Sequence, residues 1–230
     1  MNTLKATAHR AGVVYLVFSI IAVIGEFMFP TFLVPGDAAA TAHNIASAAT
    51  AYRLSILTGF VTHLFFIVLV VILYKLFKDV DQSLAMLMVL LVCIGVAVAL
   101  ANLVNKFGPL VILSGADYLS VFTQQQLDAM TLGFLRLHGR LSSIPLGFWG
   151  LWLFPFGLLT IKSRYFPRIL GILQIIAGVA YVVTSVAAIA FPDQRGAVTR
   201  VMTPFYFGEV PMVFWLLIKG AKVPKVPQPA

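Results

Sequence analysis

Charge is scarce in this chain. Only 10% of its 230 residues are Asp, Glu, Lys or Arg, whereas 60% are hydrophobic and the mean hydropathy is +0.98. A water-soluble domain needs a far larger charged surface to stay dispersed, which excludes a soluble globular fold. There is a single cysteine, Cys93, so no intramolecular disulfide can form. Its place within an apolar run makes it a small packing residue. The sequence also lacks an HExxH zinc motif, a GxSxG nucleophile elbow and a Walker-type phosphate loop. It therefore carries no signature of a zinc hydrolase, a serine hydrolase or an ATPase.

What the chain does have is long apolar runs. Six can be laid out, at 11–33, 53–76, 84–105, 141–161, 169–191 and 199–218. Each approaches the roughly 20 residues needed to cross a bilayer. Backbone groups in hydrocarbon must be paired within their own segment, so these spans are helical. A transmembrane barrel would show short alternating strands, not a continuous apolar run such as 64–73. The expected fold is all-α, a polytopic transmembrane bundle of about six helices. Residues 1–220 would form one six-helix domain and 221–230 a basic cytoplasmic tail. The first run, with Lys5 and Arg10 ahead of it, is longer than a signal-peptide core and reads as an uncleaved anchor. The sixth is short and interrupted by Glu209 and Pro211.

The net charge of +8 and pI near 9.8 raise the question of a nucleic-acid partner. The distribution answers it. With the N-terminus in the cytoplasm, ten of the Lys and Arg residues fall inside and six outside, the bias of the positive-inside rule. The basic pattern thus sets topology and attracts anionic lipid, with both termini cytoplasmic. The expected location is the inner (cytoplasmic) membrane, with membrane lipids as partners and no nucleic acid.

The expected inner connections, 78–83 and 162–168, are short, and the outer ones longer. Asp37 can cap a short helix in the first outer loop, reaching to Tyr52. In the second, the chain is expected to break at Gly108-Pro109 and at Gly115. It restarts at Thr123-Gln124-Gln125-Gln126, a capping-box pattern whose helix can run straight into the fourth span. Pro145, Pro155 and Pro211 predict kinks. Gly95 with Ala99, Gly147 with Gly150, and Gly171 with Gly178 are spaced for close helix contact. Tyr52, Tyr74, Tyr118 and Tyr165 fall where an interfacial aromatic belt would lie. A faint repeat relates Arg53-Leu54-Ser55 to Arg140-Leu141-Ser142, with Lys75 and Lys162 closing both spans at equal distances. Duplication and convergence both explain it.

Ionisable groups inside a span are costly, and each is a functional candidate by default. From the helical rise, Glu26 lies roughly 22 Å from the inner boundary and His63 roughly 15 Å below the outer one. Glu209 lies roughly 13–15 Å from either end of its span. Asn102, Asn105, His138 and Arg140 lie nearer the outer rim. One reading gathers Glu26, His63, Arg140 and Glu209, with His138, Arg53 and Asn102, around an outward-facing polar cavity. There the acids would bind a cation or proton, His63 would shuttle protons, and Arg140 would hold an anionic group. The other reading pairs Glu209 with His63 or Arg140 and Glu26 with Arg53, solely to neutralise buried charge. No catalytic residue, metal ligand set or cofactor is assigned. His63 and His138 differ in depth, which disfavours a bis-histidine haem.

One block of sequence is recognisable. It comprises Leu137-His138-Gly139-Arg140, then Gly150-Leu151-Trp152-Leu153-Phe154-Pro155-Phe156-Gly157-Leu158. Pro167-Arg168-Ile169-Leu170-Gly171-Ile172-Leu173 follows, with Ala177-Gly178 and Tyr181. It resembles the bacterial membrane family catalogued as domain of unknown function 4386. The likeness extends to the opening at 10–25, to Arg53, and to Gly208-Glu209 with Trp215 through Gly220. The resemblance implies a multi-helix membrane protein and carries no activity or catalytic residue with it. The first expectation is a non-enzymatic protein that binds or transports a small hydrophobic or cationic ligand. An intramembrane, possibly metal-assisted lipid-modifying enzyme and a structural or accessory subunit are the alternatives.

Overall fold

A computed structural model describes residues 3–29 and 31–222, the side chains of Glu26 and Phe27 excepted. The tail at 223–230 lies outside the described residues. Those residues form ten α-helices and no strand: α1 (Thr3–Phe27), α2 (Ala38–Ser47), α3 (Ala49–Phe77), α4 (Gln82–Ile112) and α5 (Gln124–Leu141), then α6 (Ser143–Leu151), α7 (Leu153–Ser163), α8 (Arg168–Ala190), α9 (Arg195–Tyr206) and α10 (Val210–Ile218). Six stretches are long and apolar enough to cross a membrane: Thr3–Gly25, Ala49–Phe77, Gln82–Ile112, Gln124–Ser163, Arg168–Ala190 and Pro192–Ile218. The all-α, six-span architecture is the one expected.

The boundaries differ in instructive ways. α1 starts at Thr3 and ends at Phe27, short of the expected 33. Pro30 explains the early stop, because a proline disfavours helix in the residue before it and cannot donate to a preceding turn. Glu26 thus sits in the last turn of α1. Asp37 caps α2 by accepting from the Ala40 amide at 2.9 Å, but α2 stops at Ser47 and α3 begins afresh. α4 runs through Gly108-Pro109 instead of breaking there. Gly108 lies against the Phe134 ring, where an added Cβ would come within 2.6 Å. Of the two expected breaks only the one at Gly115 is a turn, where a φ of +71° suits glycine.

Prolines account for the other breaks. A proline at position i has no N–H to offer the carbonyl at i−4. Pro145 leaves the carbonyl of Leu141 without its helical donor, and Pro155 leaves that of Leu151. Leu141 and Leu151 are where α5 and α6 end. The capping box at Thr123 and Gln126 forms as expected. α3 has no such prolines and stays continuous, so the faint sequence repeat is not repeated in helix geometry. In the sixth span, Pro211 cannot serve the Phe207 carbonyl. The Val210 amide takes that place in a 3₁₀ turn at Phe207–Glu209.

Two compact units are drawn from these helices, one comprising Met1–Phe18, Phe65–Val96 and Ser143–Ala230, the other Ser19–Leu64 and Ala97–Ser142. In the first, α6 and α7 pack antiparallel on α8 along glycines. A Cβ on Gly150 would lie 2.6 Å from the Gly178 carbonyl, and one on Gly157 2.6 Å from that of Gly171. The small residues thus let separate backbones meet, as packing in lipid requires. Phe18, Phe66, Trp149, Trp152 and Phe156 form a continuous aromatic cluster nearby, joined by stacked, tilted and edge-on contacts. At one end of this unit Lys162 pairs with Asp81 at 2.8 Å. The same end holds the Lys222 amide on the Tyr165 carbonyl, and His9 Nδ1 2.9 Å from the Leu217 carbonyl.

The second unit has its own core of Ile45, Tyr52, Ile56 and Leu135, with Phe32 and Leu110 packed on it. Tyr52 is 0% exposed and its hydroxyl donates to the Lys106 carbonyl at 2.9 Å. It is a core residue, not part of an interfacial belt. Its hydroxyl found a backbone acceptor inside, which removes the need for a wet interface.

Candidate functional site

The first unit builds a polar site around Glu209. Three helices bring it about. Gly208 sits so close to α8 that a Cβ would meet the Leu173 carbonyl at 2.6 Å, and Gly12 brings α1 equally close to the Leu217 amide. The neighbours of both glycines are the site residues: Tyr15 lies one turn after Gly12, and Glu209 follows Gly208. The Tyr15 hydroxyl donates to Glu209 Oε2, and a second hydrogen bond joins Glu209 to Tyr181 of α8. Tyr15 is 2% exposed and its ring leans on Trp152. Tyr181 stacks on Tyr206, with ring centroids 4.2 Å apart and planes 2° from parallel. The Tyr206 hydroxyl in turn donates to Thr184 Oγ1 at 2.6 Å. The result is a carboxylate at the break between α9 and α10, held by phenols and walled by aromatic faces.

Sequence reasoning named Glu209 but missed these partners. Tyr15 and Tyr181 stand within apolar spans whose facing the sequence does not give, and only the packing of α1 and α8 turns them inward. Gln174 was also missed. It is 0% exposed on α8, and neither of its amide atoms has a protein partner. A glutamine in the middle of an apolar run was the available signal.

The remaining named residues are in the second unit. Asn102 and His138 are brought together: Asn102 Nδ2 donates to the His138 carbonyl at 2.9 Å and to Ser142 Oγ at 3.1 Å. His138 Nδ1 lies 3.1 Å from the Asn102 carbonyl, and Asn105 Nδ2 bonds to Asn102 Oδ1 at 3.0 Å. This network ties α4 to the end of α5, which Pro145 has left short of a donor. It has the character of a structural clasp. His63 Nδ1 bonds back to the Gly59 carbonyl within α3. Arg140 is exposed in the last turn of α5, and Arg53 is exposed on α3 at the end of an apolar groove. The side chain of Glu26 lies outside the described residues. Among the described residues no group of three or more His, Cys, Asp or Glu could hold a metal ion.

Outside the spans, Asp81 is held below the usual carboxylate range, chiefly by the hydrogen bond from Lys162 and then by the Leu84 amide. It closes the α3–α4 turn and caps α4.

The family model described as Domain of unknown function (DUF4386) matches residues 10–220. An uncharacterised protein of Archaeoglobus fulgidus is 37% identical over 87 residues, covering 37% of this chain and 51% of the relative. The chain thus spans about half the length of the curated relative it matches. No solved structure matches the chain.

Proposed function

The chain belongs to the DUF4386 family, and from that premise we propose that it binds, and moves within the membrane, a small hydrophobic or cationic ligand at Glu209. The observation that carries this is the pairing of an intramembrane carboxylate with neutral donors. A carboxylate taken out of water loses several kcal/mol of solvation unless it is compensated. Phenols supply hydrogen bonds but no positive charge. The charge is then completed by a proton or by a cation, and aromatic faces such as those of Tyr181 and Tyr206 favour a cation further. Discontinuous helices are a recurrent way of building such sites in membranes. The proposal includes cytoplasmic termini and an inner-membrane location, both supported by the distribution of Lys and Arg.

The test uses tetraphenylphosphonium, a hydrophobic cation, titrated calorimetrically into purified full-length protein in two buffers of different ionisation heat. Wild type is expected to bind it and to release a proton. Glu209→Gln should weaken binding about tenfold or more, the worth of one charge-assisted contact. If Glu209→Gln binds the cation as wild type does, or only melts earlier, the carboxylate is a structural group and the proposal fails.

A further inference from the structure

We infer that the groove between α3 and α4 in the second unit seats one acyl chain of an anionic phospholipid, with the phosphate on Arg53. This does not depend on Glu209. The groove has a volume of about 380 Å³, and among the described residues Arg53 is the one charged side chain lining it. Arg53, Leu57 and Phe60 form its wall on α3, spaced four and three residues apart and hence on one helix face. Leu100, Val104 and Phe107 form the facing wall on α4 with the same spacing. Leu57 is 54% and Val104 66% exposed, so the groove opens sideways where lipid chains lie.

Its register sets the cation at one end. Tyr52 bonds to the Lys106 carbonyl and Gly59 packs on Leu103, so α3 and α4 run antiparallel. Arg53 therefore lies beside Phe107 and Leu110, and Phe60 beside Leu100 and Leu103. From Leu100 to Leu110 the α4 wall rises about 15 Å. That is half of the roughly 30 Å hydrocarbon core, the depth of one leaflet. A wall one leaflet deep, apolar throughout and capped by one guanidinium, has the charge and length of a single lipid.

Arg53 has the freedom to take a phosphate. Its guanidinium makes no hydrogen bond or ion pair among the described residues. The neighbouring Lys106 is engaged otherwise, its ammonium 3.1 Å from Ser55 Oγ and 5.9 Å from the centre of the Tyr52 ring. Guanidinium matches phosphate by two parallel hydrogen bonds, which an ammonium cannot do.

The test is native mass spectrometry of the full-length protein in detergent, titrated with phosphatidylglycerol and separately with phosphatidylcholine. One phosphatidylglycerol should be retained about tenfold more tightly than phosphatidylcholine, and Arg53→Gln should erase that preference. Val104→Trp, which keeps the cation but fills the groove, should also release the bound lipid. Equal retention of both lipids by wild type would overturn the inference. So would undiminished phosphatidylglycerol retention by Arg53→Gln, or by a folded Val104→Trp.

Discussion

Gly208→Ala is the substitution through which fold and site can be tested together. The new methyl would lie 2.6 Å from the Leu173 carbonyl, so reaching an ordinary contact of 3.4 Å requires the turn at Phe207–Glu209 to move off α8 by about 0.8 Å. Overpacking of this kind costs about 1–3 kcal/mol. The lower backbone entropy of alanine returns about 0.5–1 kcal/mol of that. The remainder, up to about 2.5 kcal/mol, corresponds for a chain of this length to a fall in melting temperature of up to roughly 10 °C. The same movement takes Glu209 away from Tyr181, and a hydrogen bond lengthened by that amount is largely lost. Cation affinity should therefore fall along with stability. The assay is paired: thermal unfolding in detergent and the tetraphenylphosphonium titration. Gly133→Ala on α5 is the control, because nothing lies within 4 Å of its added Cβ. It should stabilise by about 0.5–1 kcal/mol, the opposite sign. If Gly208→Ala behaves like Gly133→Ala, the close approach of the turn to α8 is wrong and the position given for Glu209 falls with it.

Two further outcomes follow from buried and surface polarity. Gln174→Leu should raise stability by about 1–3 kcal/mol, because it removes amide atoms that have no protein partner; a lower melting temperature would show that the amide is bonded to water or ligand. Asp81→Asn keeps an acceptor for the Leu84 amide but loses the Lys162 pair. The folded carboxyl titrates below its ordinary value of 3.8, so its contribution is present above that pH and lost as pH falls through the folded value. The melting difference between wild type and Asp81→Asn should therefore be visible at neutral pH, shrink with added salt and vanish in strong acid. A difference unchanged by salt and pH would refute the ion pair.

The six spans were legible because lipid imposes one requirement, a long apolar segment with its backbone paired internally. The same requirement hides which face of each helix turns inward, since lipid-facing and core-facing residues are both apolar. Glu209 could be recognised as costly where it stood, yet its partners could not be read, because Tyr15 and Tyr181 are some 190 and 28 residues away and no spacing within one helix points to them. Prolines were partly legible. Pro145, Pro155 and Pro211 were expected to disturb their helices and do. Pro109 was expected to end α4 and does not, because one missing donor is a local loss and the Gly108–Phe134 contact holds that turn in place. Glycines were legible as small but not as to partner. Gly150 pairs with Gly178 and Gly157 with Gly171 across helices, which no spacing within one helix reveals.

The sixth span joins these threads. Between Thr199 and Ile218 it contains two prolines, Pro204 and Pro211, and one acid, Glu209. An ionised side chain near a span centre costs about 2.5–3.5 kcal/mol on insertion scales. Such a segment is poor at holding itself in a bilayer, so its neighbours must hold it. They do so by the closest contacts available, Gly12 against Leu217 and Gly208 against Leu173. A leucine or glutamine at 209 would remove the charge cost with no demand on α1 or α8. Instead the chain keeps a carboxylate, arranges phenols on both sides of it, and commits two glycines to bring them near. Stability alone gives no reason for that arrangement, since a neutralising Lys or Arg at 15 or 181 would serve it better. The proposed exchange of a proton or cation at Glu209 does give one: neutral donors tolerate both the charged and the protonated carboxyl, whereas a fixed cation would lock the first.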